Sequence, residues 1–212
     1  MRISVTAAGA ALLFSACGPK ALTLPEQPVD RAATCGVVAA TEARAATPDI
    51  KQPLPFTAQG RILHYALLAG AEGEEFSAET ATAVNQRMSD LQEEITSGEW
   101  QSLVPACAAA FPAAEKTDVT LPADDFEAGL ACDELGDFMS MALGSQEAEY
   151  ASQLGDYRGL AREFDATLGP GLRSRTGAGL PAQQQARRVA LAEAAKLGPP
   201  VTVMRQCVER FG

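Results

Sequence analysis

SAETATAVNQRMSDLQEEITSG, residues 77–98, is the stretch whose reading decides the fold. Its apolar residues Val84, Met88, Leu91 and Ile95 recur at spacings of 4, 3 and 4. A turn of 3.6 residues brings such positions onto one face, whereas a strand would need strict alternation. Ser77 precedes the pattern, where its hydroxyl can accept a hydrogen bond from an otherwise unpaired backbone N–H. Gly98 ends it.

The same grammar continues on both sides of this helix. Toward the amino end, Asp30 is placed to cap a helix running to about Ala46, stopped by Thr47-Pro48. A loop over 47–57 holds three prolines, and a helix over about 58–69 carries Ile62, Leu63, Ala66 and Leu67 before Gly70. Toward the carboxyl end, Trp100, Leu103, Val104, Cys107 and Phe111 repeat the helical period, with Pro105 in a first turn where its missing N–H costs nothing. A helix over about 123–143 carries Phe126, Leu130, Leu135, Phe138 and Met139. Another, over about 146–168, has the stripe Tyr150, Leu154, Tyr157, Leu160, Phe164 and Leu168. Gly169-Pro170-Gly171 is expected to break it, leaving 171–180 as a glycine-rich basic loop. Pro181 opens a helix to Leu197, and a last one carries Val201, Val203, Met204, Cys207 and Phe211. Strand-like runs are nearly absent and alanine is abundant, so the fold class is all-α.

The two halves read as an internal duplication. Cys107-Ala-Ala-Ala-Phe111-Pro112 precedes Cys207-Val-Glu-Arg-Phe211-Gly212 by 100 residues, and at that offset Arg87, Leu91, Gly98, Leu103 and Val104 meet Arg187, Leu191, Gly198, Val203 and Met204. Cys35 and Cys132 each stand near the start of a helical stretch. The expectation is two similar units of about four helices, residues 30–112 and 122–212. Copies of one unit would each be closed by a bridge of their own, Cys35–Cys107 and Cys132–Cys207. A pairing across the halves is the alternative.

At the amino end, Met1-Arg2 is followed by an uncharged run, Ile3–Phe14. At 1.5 Å per residue it spans about 18 Å, short of a bilayer core of about 30 Å, and so reads as a signal peptide. Phe14-Ser15-Ala16-Cys17-Gly18 closes it. That ending resembles the lipobox of bacterial lipoproteins, with Phe14 where the family prefers Leu. The resemblance covers about twenty residues and names no family for the rest of the chain. It implies that residues 1–16 are removed and that the Cys17 thiol carries diacylglycerol. Residues 17–29 then form a lipidated tether containing three prolines. Gly18, where an Asp would favour inner-membrane retention, implies the outer membrane, facing the periplasm, in a host with two membranes. Two or more acyl chains anchor a protein stably.

Residues 17–212 suffice for one large domain or two of about 90 residues. A net charge of −10 and a pI of about 4.6 set the surface against phosphate backbones and anionic lipid heads. No nucleic-acid partner is expected, and membrane contact should come from the acyl anchor at Cys17. An acidic face suits a basic envelope protein partner, although solubility alone accounts for the charge. Of five cysteines, four remain once Cys17 is acylated, an even number suited to disulfides in an oxidising compartment. No Cys-x-x-Cys occurs, so neither a redox site nor a zinc knuckle is supported, and no metal or cofactor is expected.

Catalytic sets are equally sparse. His64 is the only histidine and sits in an apolar helix, which removes Ser-His-Asp and multi-histidine metal sites and makes it a structural residue. Glu74-Glu75, Glu93-Glu94 and Asp124-Asp125 offer carboxylates for glycan cleavage, yet adjacent helical residues point about 100° apart and do not converge on one bond. No Glu precedes a Ser, so the motif of lysozyme-like lytic transglycosylases is missing. Trp100, Phe111, Tyr150, Tyr157 and Phe164 could line a groove, but at helical spacing they read as core. Arg173, Arg175, Arg187 and Arg188 form a basic cluster that could meet an acidic partner or a phosphate, or simply keep a loop solvated. The reading is a non-catalytic, lipid-anchored envelope protein, a binding or structural module. A helical peptidoglycan hydrolase is the alternative.

Overall fold

The computed structural model describes residues 22–212, without the side chain of Asp165. Residues 1–16, read as a signal peptide, and Cys17 lie outside the described residues. Those described are all-α, with nine α-helices and no strand among them. In order they are α1 (Pro28–Ala45), α2 (Phe56–Gly70), α3 (Ala78–Ser97), α4 (Val104–Ala110), α5 (Asp125–Ala142), α6 (Ala151–Asp165), α7 (Leu168–Thr176), α8 (Leu180–Leu197) and α9 (Pro200–Phe211).

Local chemistry explains most boundaries. Ser77 caps α3 as expected, its Oγ accepting from the Thr80 N–H at 3.1 Å. Asp124 caps α5 through the Glu127 N–H. Proline stands in the first turn of α1, α4, α8 and α9, where its N–H is not missed. Asp30 is a correction: it lies inside the first turn of α1 and pairs with Arg87 at 2.7 Å instead of capping.

Two further corrections fall in the second half. The stripe from Tyr150 to Leu168 is not one helix, because residues 144–150 form turns and α6 ends at Asp165. Residues 171–180 are not a loop, since α7 runs through them as far as Thr176.

Both expected disulfides are present, Cys35–Cys107 and Cys132–Cys207, closing spans of 72 and 75 residues. The first ties α1 to α4 and the second ties α5 to α9. Cys35 and Cys132 stand in the same register, two turns into their helices.

The halves share one core. α2 reads FTAQGRILHYALLAG, with Arg61 its only charge, and a helix apolar on most sides must be buried on most sides. It packs on α1 and α3 on one side and on α8 and α9 on the other. A Cβ on Gly60 would stand 2.5 Å from Val201 of α9, so only glycine permits that approach. Phe56 packs at a tilt against Tyr150 and Tyr157, Phe76 meets Phe138 edge-on, and the Tyr150 hydroxyl donates to the Leu54 carbonyl at 2.7 Å. From the segment read as a tether, Leu22 and Leu24 are held against this core, Leu22 on Gly98.

Candidate functional site

The packing of α1 on α3 produces the site. Ala40, Thr41 and Ala45 give the second half of α1 a row of short side chains, while α3 answers with the longer Met88 and Gln92. Mismatched lengths leave an open groove of about 600 Å³ between the helices, with Val37 and Leu54 in its lining and Trp100 half-buried beside it. Closer in, Gly36 lets the helices meet, since a Cβ there would lie 2.7 Å from the Met88 sulfur. The size and mostly apolar lining are those of small-molecule sites.

Six of the twelve lining residues are polar: Thr41, Arg44, Asn85, Ser89, Gln92 and Thr96. The Thr41 hydroxyl donates to the Val37 carbonyl at 2.8 Å and the Thr96 hydroxyl to the Gln92 carbonyl at 2.7 Å, so both are satisfied by their own helices. Arg44 supplies the only charge. Its Nη1 donates to the carbonyls of Ile50 and Gln52 at 3.2 and 2.8 Å, and among the described residues it has no carboxylate partner. No Asp or Glu lines the groove. A groove of this kind can hold an apolar body and orient one negative end.

The other candidates are placed elsewhere. Phe111, Tyr150, Tyr157 and Phe164 are core residues, as read; Trp100 lines the α1–α3 groove, and Phe164 also borders a groove at the carboxyl end. Three of the four arginines of the basic cluster are paired with carboxylates. Arg175 pairs with Asp124 at 3.1 Å, Arg188 with Glu75 at 2.7 Å, and Arg187 with Asp133 and Glu134. The Glu134 pKa is raised, because burial outweighs the Arg187 guanidinium beside it. It lines none of the grooves described here. Glu75 and Asp124 are held below the usual carboxylate range, Glu75 chiefly by Arg188 and Asp124 chiefly by the Glu127 N–H, with Arg175 second.

His64 is fully buried. Its Nε2 lies 2.8 Å from the Ala195 carbonyl, which can only accept, so Nε2 carries the proton and Nδ1 is left bare and unpartnered. Burial pushes its pKa down to about 4. Among the described residues no group of three or more His, Cys, Asp or Glu is placed to hold a metal, and no helix is long and apolar enough to cross a membrane.

Two further grooves flank the carboxyl end, one of about 650 Å³ between α6 and α9 and one of about 410 Å³ floored by Phe126, Phe164 and Phe211. The α1–α3 groove was not legible in the sequence, because it depends on which short residues of one helix face which long residues of another. Trp100 was its one advance signal. Compared with known proteins, the chain matches no family model, no curated protein and no solved structure.

Proposed function

We propose that this is a lipid-anchored protein of the cell envelope, held by acyl chains on Cys17 and acting without catalysis as a binding or structural module. The observation that supports it best is the accounting of thiols. Four of the five cysteines are joined in two bridges, and the fifth is Cys17, inside the segment that resembles a lipobox. Structural disulfides belong to oxidising compartments outside the cytoplasm. Gly18 favours the outer membrane, with the helical body in the periplasm. A net charge of −10 leaves the acyl chains as the membrane contact and suits a basic envelope partner.

The test is the intact mass of the protein extracted from envelopes. A mature chain beginning at an acylated Cys17 is expected, and a free thiol there would overturn the reading. Cys17→Ala should abolish stable membrane attachment. Incubating the purified protein with peptidoglycan addresses the hydrolase alternative, since released fragments would overturn a non-catalytic role.

The two halves are further read as copies of one helical unit. Support comes from the shared register of Cys35 and Cys132 and from the order of elements: α1, α2, α3 and α4 find counterparts in α5, α6, α8 and α9, with α7 as the extra element.

A further inference from the structure

We infer that the α1–α3 groove binds a single-tailed fatty carboxylate, its tail over Val37, Met88 and Trp100 and its carboxylate at Arg44. The assignment rests on the binding-module reading and names the ligand class for it.

Three observations carry it. First, Val37, Leu54, Met88 and Trp100 give the groove an apolar strip, and the hydroxyls of Thr41 and Thr96 are taken up by their own helices, which leaves Asn85, Ser89 and Gln92 as its uncharged polar side chains. A tail lying along that strip therefore removes apolar surface from water. Second, the charge is complementary to an anion. On a chain of net charge −10 the groove has no carboxylate in its lining, and its one charge is the Arg44 guanidinium. Only Nη1 of that group is engaged, by two backbone carbonyls, which leave the positive charge uncompensated and further N–H donors free to meet a carboxylate. Third, the dimensions suit one tail. From Val37 to Ala45 the helix advances about 12 Å, roughly the extended length of a ten- to twelve-carbon chain. Arg44 stands at one end of that path, so head and tail have separate places.

Trp100 is the only tryptophan in the chain and it lines the groove, so its emission reports occupancy without a label. The full chain is titrated with sodium laurate below its micellar range. A saturable shift of Trp100 emission is expected, with little response to dodecyltrimethylammonium, whose cationic head would face Arg44. Arg44→Gln should weaken laurate roughly tenfold, the loss of one charge-assisted contact. Met88→Glu should abolish binding, while Met88→Leu should bind like the parent and show that the helices remain packed. A silent titration, equal binding of the cationic surfactant, or an unchanged Arg44→Gln affinity would each overturn the assignment. None of these outcomes bears on the acyl anchor, which the intact mass decides separately.

Discussion

His64 shows how one side chain sets the response of the whole fold to acid. In the unfolded chain its imidazole takes a proton near pH 6.5, while in the folded chain burial delays this to about pH 4. Between those values the unfolded state binds the proton and the native state does not, so stability falls as the pH falls. The total loss is about 3 kcal/mol once the pH is below 4. Because His64 is the only histidine, its ring signals in an NMR titration are unambiguous. A midpoint near 4 is expected, and one near 6.5 would mean that the ring is not buried. Glu134 works in the opposite direction, because its raised pKa lets the native state take the proton first. Its guanidinium partner opposes that rise and favours the ionised form. Arg187→Met should therefore cost about 1–2 kcal/mol at pH 7, measured by urea unfolding, and should push the Glu134 pKa higher still. A change within a few tenths of a kcal/mol would show that the pair contributes nothing. The sequence marked His64 as structural but gave no sign of Ala195, 131 residues away, as the group that fixes its tautomer.

Among the helices, α7 shows why local reading failed where it did. Gly169-Pro170-Gly171 carries every mark of a breaker. Yet Pro170 falls in the first turn of α7, where its missing N–H interrupts no bond. Gly171 is there for another reason: a Cβ on it would lie 2.5 Å from two ring carbons of Phe126. The glycine that looked like a stop signal is a packing residue, chosen by a ring 45 positions away on α5. That gives a prediction whose sign distinguishes the two accounts. As an ordinary helix position, Gly171→Ala should gain up to about 1 kcal/mol from propensity. Overpacking against Phe126 should instead cost about 1–3 kcal/mol, and the steric term is expected to win. Phe126→Leu should relieve most of the cost in a double-mutant cycle by thermal or urea unfolding. A stabilised Gly171→Ala would mean that the ring moves aside freely. By contrast, α3 was legible throughout, because a hydroxyl cap, a 4-3-4 stripe and a terminal glycine are all local signals. The break at residues 144–150 was not, because Tyr150 continues the apolar stripe while its hydroxyl is held by the Leu54 carbonyl in the other half.

At the scale of the molecule, two bridges and one shared core make competing demands on how the protein should unfold. Each disulfide lies within one half, and cross-linking some 72 to 75 residues should stabilise by about 4 kcal/mol in the chain-entropy account. Both pairs were legible because the cysteine spacing repeats. What the repeat could not convey is that α2 of the first half serves as the partner of α8 and α9 in the second, through Gly60 on Val201 and His64 on Ala195. If the halves were held by their own bridges alone, removing Cys132 and Cys207 would melt the second half and spare the first. Through the shared core, loss of α9's anchorage exposes the buried face of α2 as well. The double substitution Cys132→Ala, Cys207→Ala is therefore expected to lower the stability of the whole chain by about 4 kcal/mol within one cooperative transition. Trp100 reports the first half and far-UV circular dichroism reports all the helices, so the two probes should stay coincident in urea. Separation of the curves, with Trp100 unaffected by the lost bridge, would show that the first half carries its core independently.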